Sequence, residues 1–501
     1  MRLHPNSTTV RSLISSSTAR RVGGLGLAAA ILAPLSSAQW FAVSMQPAGP
    51  VGSFGQGGDG AIQAGYIQNA APNNSPRAAM WLGSAGSWVD LHPAAASVSE
   101  AMDSRGGSQA GWAQVAGMYV ASLWTGSAGS WVNLNPTGAL ASWAYGCDGI
   151  DQAGLVDFGG VAHAALWHST SASYVDLMPA TSNSSVVWGM RGSQQVGQAN
   201  IIGLNIHAGL WLGSAGSWLD LHPAVATSSR AFGTDGVQQV GEANIANATR
   251  ASLWTGTAAS WVDLTPFIGG ISEAHGVDAG EQAGWCSAPF DIPRAFFWAG
   301  SASSAFDLSS VLPVNYGTSK AASIWHSGGH TFVFGEAQNV TAGHDEAMLW
   351  ERLHMTTYCT AKVNSLGCSP SISGIGTSRA TGSSTFNVRA INLQNNKPAI
   401  LLYGNTGRAA SAFSGGTLCV NGPLRRVQGL NTGGQPAGNN CSGLLMVDMN
   451  AFRAGALGGN PAGFLSIPGA LVNCQYWARD SGFGAPNNTQ LSNALEFEVG
   501  P

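Results

Sequence analysis

The densest set of side chains that could bind a metal lies between residues 326 and 346. His326 and His330 flank a glycine-bearing turn, and Glu336 and the pair His344-Asp345 follow. Imidazole and carboxylate groups are zinc ligands, but a zinc site needs three or four of them converging on one point, with outer hydrogen-bond partners. A His-x-x-x-His spacing outside a helix does not produce that convergence, so we expect neither a metal nor another cofactor. The weak metal candidates are His326, His330, His344 and Asp345.

Motifs for covalent or phosphate chemistry are missing from the sequence. No serine occurs in a Gly-x-Ser-x-Gly motif at a strand–turn–helix junction, and neither a phosphate-binding loop nor a dinucleotide-binding pattern is present. A recurring Ser-Ala-Gly-Ser-Trp hairpin is similar to the Asp-box of sialidases, but Ala85, Ala128 and Ala215 stand in its turns and the defining aspartate is absent. The sequence therefore assigns no catalytic residue.

A repeated stretch organises most of the chain. Residues 77–93 read RAAMWLGSAGSWVDLHP, and four close copies, one looser copy and one half copy follow before residue 353. The first tryptophan recurs in steps of 43 or 44 residues, with a last step of 52. Repeats of about 40 to 50 residues rich in short strands are typical of β-propeller blades. These tryptophans are Trp81, Trp124, Trp167, Trp211, Trp254, Trp298 and Trp350.

Two further pieces recur between the copies, Ser-x-Ala-x-Gly and Gln-(Ala/Val)-Gly. With Ala-x-Leu-Trp and Trp-Val-Asp-Leu they give four short strands per unit, and no long amphipathic helix interrupts them. Small residues suit the crowded propeller axis and tryptophans the wider rim, so Ser-x-Ala-x-Gly should be the innermost strand. We predict an all-β chain with a seven-bladed β-propeller of four-stranded blades.

The seventh unit lacks its outermost strand, and a spare strand precedes the first unit. Ala347–Trp350 is not followed by a Trp-Val-Asp-Leu segment, whereas a segment of that kind, Trp40–Pro47, comes before the array. We predict that this N-terminal strand pairs in the last blade and closes the ring, which removes the exposed sheet edges between the two ends.

One acidic or amide residue of the fourth strand recurs in six units. A side chain repeated in nearly every blade is more readily explained by structure than by repeated calcium sites. We therefore expect it to accept hydrogen bonds from a neighbouring turn. These residues are Asp90, Asn133, Asp176, Asp220, Asp263 and Asp307.

Candidate binding residues lie where the innermost strand does not repeat. Within the Ser-x-Ala frame, the intervening residue and the residue after the alanine position differ from blade to blade. A ring gathers these positions around one axis, in a mouth of aromatic and charged groups that is typical of a recognition surface. The alternative is that they vary because they face solvent and have no role. The candidates are Trp143, Trp188, Arg230, Glu273 and His275.

The array resembles the HAF-type repeats of secreted bacterial proteins. The resemblance rests on the Ala-x-Leu-Trp, Asp-Leu, Ala-x-Gly and Gln-x-x-Gly pieces and covers about residues 58–350, although Gln-Ala-Gly often replaces Gln-Val-Val-Gly here. That family implies a β-propeller outside the cytoplasm and no defined reaction.

Residues 353–501 have a different character. The tryptophan repeat stops, and alternating segments such as 384–393 and 471–477 predict the strands of a β-sandwich. Stretches such as TYCTAKVNSLGC and FSGGTLCVNGPLRR resemble a C-terminal domain that recurs on exported bacterial proteins. That resemblance implies a role in display, adhesion or sorting.

Five of the seven cysteines lie in this C-terminal part. An exported chain can hold disulfides, and local spacing favours Cys359–Cys368 and Cys419–Cys441, with Cys474 left over. Five cysteines allow several other pairings, however. The remaining two cysteines lie in different blades and are expected to be buried thiols.

Residues 1–38 are predicted to be a signal peptide. They combine a basic start, an apolar run over 23–35 that is too short to span a membrane, and Ser36-Ser37-Ala38 as a small-residue cleavage site. The sequence leaves open whether export uses the general or the twin-arginine route. The predicted domains are thus 1–38, a propeller over 39–352 and a sandwich over 353–501, with no transmembrane segment in the mature chain.

Composition is consistent with an extracellular protein and argues against nucleic-acid binding. Charged residues make up 9% of the chain, against about 25% in a typical globular domain. The formal net charge of −4 gives no basic footprint for nucleic acid. We expect a monomeric, secreted or cell-surface binding protein without enzymatic activity, whose ligand is a glycan or a protein. The alternatives are an extracellular polysaccharide-acting enzyme with its site in the propeller channel and a purely structural envelope protein.

The signal-peptide prediction concerns the start of the mature chain. We expect the exported protein to begin near Gln39, because signal peptidases cut after small residues such as Ala38. N-terminal sequencing of protein exported by its native host measures this directly. An exported product that retains Met1 would contradict the prediction.

Overall fold

The short alternating segments of the repeat form antiparallel sheets in a computed structural model that describes residues 39–69, 75–289, 291–382, 384–435 and 438–501. The predicted signal peptide lies outside the described residues. The described residues belong to one compact unit, which contains both the blades and the C-terminal sheets.

Seven four-stranded sheets form the blades, and in blades 1 to 6 the strands follow chain order across the sheet. The N-terminal strand is β1 (Gln39–Ser44). Blade 1 contains β2 (Gly52–Asp59), β3 (Ile62–Gln68), β4 (Pro76–Trp81) and β5 (Val89–Asp90). Blade 2 contains β6 (Ala96–Arg105), β7 (Ser108–Val115), β8 (Met118–Trp124) and β9 (Val132–Asn133). Blade 3 contains β10 (Ala141–Cys147), β11 (Gln152–Phe158), β12 (Val161–Trp167) and β13 (Val175–Asp176).

The second half of the array repeats this order. Blade 4 contains β14 (Ser182–Arg191), β15 (Gln194–Ile201), β16 (Ile206–Trp211) and β17 (Leu219–Asp220). Blade 5 contains β18 (Ser228–Thr234), β19 (Gln239–Ile245), β20 (Ala248–Trp254) and β21 (Val262–Asp263). Blade 6 contains β22 (Ile271–Asp278), β23 (Glu281–Ser287), β24 (Arg294–Trp298) and β25 (Phe306–Asp307). Blade 7 contains β26 (Tyr316–Ser327), β27 (His330–Asn339) and β28 (His344–Leu353).

Short 3-10 turns connect the two outer strands of blades 1 to 6. They span Ala85–Ser87, Ala128–Ser130, Ser171–Ser173, Ala215–Ser217, Ala258–Ser260 and Ala302–Ser304, and Leu308–Val311 forms a further one. The recurring fourth-strand residue has the expected structural role, because its side chain accepts the backbone N–H two residues further on in all six copies.

The apolar core of the propeller is divided among the blade boundaries. Seven clusters of buried side chains each join one pair of neighbouring blades, and together they run around the whole ring. The repeated tryptophans of the third strands are fully buried within these clusters. Trp124 of blade 2, for example, packs on Ala78, Met80 and Leu91 of blade 1.

Polar groups repeat between the blades as regularly as the tryptophans. The serine of each inner strand accepts a hydrogen bond from a backbone N–H in the third strand of the preceding blade, at 2.8–3.0 Å in all seven blades. Within blades 1 to 6, the glutamine of the second strand accepts the N–H of the turn that follows the tryptophan. The glycine of Gln-x-Gly is required because a Cβ there would overlap the inner-strand carbonyl oxygen that faces it.

The ring closes as predicted. Strand β1 pairs antiparallel with β28, from Gln39 opposite Leu353 to Ser44 opposite Met348, and becomes the outermost strand of blade 7. Trp40 is 1% exposed and its ring lies 5.2 Å from that of Phe297 in blade 6.

The C-terminal strands form the predicted sandwich. They are β29 (Met355–Tyr358), β30 (Ser371–Gly376), β31 (Phe386–Leu393), β32 (Pro398–Gly404), β33 (Arg408–Phe413), β34 (Gly416–Val420), β35 (Arg425–Asn431), β36 (Gly443–Asp448), β37 (Leu471–Arg479) and β38 (Thr489–Glu498). The five-stranded sheet β29-β38-β37-β32-β35 and the three-stranded sheet β30-β31-β36 share one buried core, and β33 and β34 form a hairpin. Helix α1 (Met449–Arg453) follows β36, and a 3-10 turn spans Gly463–Ser466.

The disulfide pairing expected from local spacing is wrong. The structure joins Cys359 to Cys419 and Cys368 to Cys441, with Cα atoms 6.2 Å apart in both pairs. Tertiary contacts bring the partners together: the Tyr358 hydroxyl donates to the Cys419 carbonyl oxygen at 2.8 Å, which places the end of β29 beside β34. Cys474 is free, as expected. The blade cysteines Cys147 and Cys286 are buried free thiols.

The sandwich contacts the closing strand directly. Gln39 is fully buried, and its side-chain oxygen accepts the backbone N–H of Ser378 at 2.9 Å. The hydroxyl of Thr377 donates to the carbonyl oxygen of Trp40 at 2.7 Å. The closing strand is therefore held by blade 7 on one side and by the loop after β30 on the other.

Ring closure leads to a stability prediction. Trp40→Ala should lower the free energy of unfolding by about 3–5 kcal/mol, because it leaves a cavity between blades 6 and 7. Val43→Ala is the matched control in the same strand, since Val43 is 40% exposed. Denaturant unfolding of both variants measures the difference, and equal losses would contradict the closure role of Trp40.

Candidate functional site

The seven inner strands, β2, β6, β10, β14, β18, β22 and β26, surround the propeller axis. They line an axial cavity of about 330 Å³, and every one of them contributes residues to its wall. The prediction that the Ser-x-Ala-x-Gly strand is innermost is therefore confirmed.

Each inner strand carries a β-bulge at the same position. The register against the second strand shifts at the residue that follows the Ser-x-Ala frame, which leaves that residue unpaired in every blade. A bulge re-aims the side chain of the extra residue, and all seven bulged residues line the axial cavity. The bulged residues are Gln56, Met102, Tyr145, Trp188, Phe232, His275 and Ala322.

Four bulged residues form an aromatic arc across blades 3 to 6. The ring of Tyr145 lies 4.7 Å from that of Trp188, and Trp188 meets Phe232 edge-on at 6.3 Å. Phe232 and His275 stack at 4.8 Å with an angle of 7° between their planes. Two predicted binding residues, Trp188 and His275, thus belong to one continuous surface around the axis.

The other variable position forms a second ring of side chains. This position is the residue between the serine and the alanine position of each inner strand. It lies directly opposite a residue of the second strand, the one that follows the glycine of Gln-x-Gly, or of Phe-Gly in blade 7. The pairs, from blade 1 to blade 7, are Phe54/Tyr66, Glu100/Trp112, Trp143/Leu155, Val186/Gln198, Arg230/Glu242, Glu273/Trp285 and Lys320/Glu336. Trp143, Arg230 and Glu273 therefore sit in this ring, which we call the pair ring.

Two of the predicted residues are held by ion pairs. Arg230 forms a salt bridge with Glu242 across its blade. The Glu273 carboxylate accepts hydrogen bonds from His275 Nε2 at 2.9 Å and Trp285 Nε1 at 3.1 Å. Burial alone would raise the pKa of Glu273, but these hydrogen bonds outweigh it and hold the pKa below its ordinary value.

The pair ring also contains carboxylates whose pKa values are raised. Burial raises the pKa of Glu100 to about 7. Burial, together with the charge of Asp345, raises the pKa of Glu336 as well. Glu336 shares a cavity of about 150 Å³ with Glu273, Trp285 and Lys320, so one pocket holds two carboxylates whose pKa values are shifted in opposite directions.

The candidate metal ligands are not brought together. His326 contacts Asp278 at 2.8 Å and Glu281 at 2.9 Å, whereas His330 lies between Glu351 and Glu498. His344 contacts the backbone of Asp345. Across the described residues, no group of three or more histidine, cysteine, aspartate or glutamate side chains is arranged to hold a metal ion.

The second-strand half of the pair ring is not identified as a binding surface by the sequence alone. Tyr66, Trp112, Glu242 and Trp285 are not among the predicted residues, and Glu336 is considered there only as a metal ligand, although each follows the glycine of the second strand. The available signal was their variation at a fixed offset from a repeated motif, the same signal that identified the inner-strand residues.

Comparison with known proteins gives similarity at the level of architecture only. No family model matches the chain, and no curated protein matches it by sequence. Among solved structures, a putative TolB from Agrobacterium tumefaciens is 13% identical (TM-score 0.31) and covers 46% of this chain and 79% of its own. The propeller domain of the Trilobed protease from Pyrococcus furiosus is 10% identical (TM-score 0.42) and covers 60% and 97%.

A peptidase shows the same level of similarity. The acylaminoacyl peptidase of Pyrococcus horikoshii is 11% identical with a TM-score of 0.41, and the match covers 70% of this chain and 60% of the peptidase. The chain thus spans less than two thirds of that enzyme. No helix among the described residues has the length and apolar character needed to cross a membrane.

The contacts of His326 give a pH prediction. Hydrogen bonds to Asp278 and Glu281 raise the pKa of His326 to about 9. Between the ordinary histidine pKa of about 6.5 and pH 9, the folded state holds a proton that the unfolded state has released, so the free energy of unfolding falls as the pH rises. His326→Gln should flatten this decline, measured by denaturant unfolding at a series of pH values. Asp278→Asn should flatten the decline too. An unchanged slope in both variants would contradict the assignment of this pH dependence to His326.

Proposed function

We propose that this protein is an exported binding protein without enzymatic activity, whose ligand docks at the mouth of the propeller axis. The observation that supports this most directly is the bulge in every inner strand, because it directs non-repeating side chains to the axis while the frame around them repeats. The two disulfides fit an oxidising extracellular environment. The resemblance to HAF-type secreted bacterial repeats favours the same location.

The aromatic arc favours a ligand with flat apolar faces. Aromatic side chains bind through their faces and edges and provide large contact areas with little loss of conformational entropy. The arc from Tyr145 to His275 offers four such groups in adjacent blades. Sugar rings and aromatic or aliphatic peptide side chains both meet this requirement, so a glycan or a protein is the proposed ligand.

A second candidate function rests on the pocket shared by Glu273 and Glu336. A carboxylate pair with one pKa lowered and the other raised is the arrangement that acid–base hydrolysis of a glycosidic bond uses. In that case Glu336 would donate the proton and Glu273 would act as the base or nucleophile. Turnover of a polysaccharide that is abolished by Glu336→Gln would favour this candidate over binding alone.

Binding at the mouth is tested by one pair of variants. A glycan and protein array screened with the mature protein should identify a ligand that is bound and released unchanged. Trp188→Ala should weaken its affinity about tenfold, since truncation of a central aromatic anchor typically costs more than 1 kcal/mol. Trp477→Ala in the sandwich is the matched control and should bind as the parent protein does. If Trp477→Ala alone weakens ligand binding, the binding site lies on the sandwich and not at the mouth of the propeller.

A further inference from the structure

The charges of the pair ring are distributed unevenly around the axis. In blades 5 and 6, Arg230 neutralises Glu242, and His275 binds Glu273. In blades 7, 1 and 2 the carboxylates are not paired in this way, because Glu100 and Glu336 have no hydrogen-bond or salt-bridge partner among the described residues. This half of the mouth therefore presents carboxylates that the protein itself leaves unpaired.

One tyrosine lies between these carboxylates. Tyr66 of blade 1 has Glu100 of blade 2 on one side and Glu336 of blade 7 on the other, and its phenol is stacked on Phe54 at 4.5 Å. Burial raises the pKa of Tyr66, and the charges of Glu100, Glu336 and Asp345 raise it further, as expected for a phenol surrounded by anions. Three carboxylates thus act on one aromatic group.

A lysine lies nearby but does not pair with them. Lys320 is directly opposite Glu336 in blade 7, yet the pair does not reach salt-bridge distance. Its ammonium group instead lies 5.1 Å from the ring centre of Trp285 in blade 6. Lys320 and Glu336 line the same cavity of about 150 Å³, so a ligand cation can approach Glu336 there without breaking a salt bridge.

Aromatic groups alternate with these carboxylates around the axis. After Glu336 comes the Phe54/Tyr66 stack, then Glu100, and then an aromatic run in which Tyr119 contacts Trp112 at 5.3 Å and Trp143 at 5.4 Å. Tyr119 is 38% exposed. Cations bind over aromatic faces, and a buried carboxylate without a partner is costly unless a cation approaches it.

We propose that the part of the mouth formed by blades 7, 1 and 2 is a subsite for the protonated amines of an oligosaccharide built of amino sugars. The alternation of carboxylate and aromatic group matches a polymer that repeats a ring and a charged amine. The rings stack on Tyr66 and on the Trp112–Trp143 run, and the amines pair with Glu100 and Glu336. This inference rests on the proposed function and specifies its ligand class.

The test compares two oligosaccharides that differ in N-acetylation and therefore in the charge of their amino groups. Calorimetric titration of the mature protein with a glucosamine oligomer and with the N-acetylglucosamine oligomer of equal length isolates the contribution of the amine. We expect the glucosamine oligomer to bind about tenfold more tightly, as a cation paired with partly buried carboxylates should.

Three variants locate the subsite. Glu100→Gln and Glu336→Gln should each weaken binding of the glucosamine oligomer about tenfold. Asp148→Asn is the matched control, because it removes one negative charge in the turn between β10 and β11 while an asparagine oxygen can still accept the N–H bonds of Ile150 and Asp151. Near-ultraviolet circular dichroism of all three verifies the fold.

The outcomes separate this inference from the proposed function. Equal affinity for the two oligomers, or no effect of either glutamine variant, overturns the amine subsite. If the N-acetylated oligomer alone binds and Trp188→Ala abolishes that binding, the proposed function stands and the subsite does not. If neither oligomer binds but a lysine-rich peptide does, the inference is wrong and the ligand is a protein.

Discussion

The propeller depends on one hydrogen bond made seven times. A serine hydroxyl of each inner strand accepts a backbone N–H from the preceding blade, in a position closed to water. A buried amide without a partner costs about 1–3 kcal/mol, so the serine holds neighbouring blades at a fixed spacing as well as in contact. This explains why serine is constant in the frame while the residue beside it is free to change.

Two sets of residues with different tasks share each inner strand. The serine and the small residue two positions after it point into the blade boundary, where the neighbouring sheet is close. The bulge then interrupts the alternation and turns the next side chain toward the axis. Residues such as Trp188 and Phe232 can therefore differ among blades at no cost to the packing of Ala231 or Val187, which remain fully buried. The side chain that packs between the blades and the side chain that faces the axis are therefore adjacent residues of one strand.

The sequence predicted most of the fold because the repeat exposes it. The tryptophan period gave the blade number, and the orphan segment at Trp40 gave the closure. Contacts between residues that depend on the tertiary structure were harder to predict. The disulfide between Cys359 and Cys419 depends on how β29 and β34 meet, and the contact of Glu273 with His275 depends on the bulge at His275. Neither arrangement leaves a signal in local spacing, since both are set by backbone geometry rather than by composition.

The position of β1 also determines the order in which the molecule can be completed. The strand is made first, yet its partner β28 lies about 310 residues later in the chain, and its second set of contacts, from Ser378, follows after that. Contacts between distant segments form slowly because the loop between them must first be closed. During synthesis, then, β1 has no partner strand and the seam between blades 1 and 7 stays open until β28 and the loop after β30 have been made.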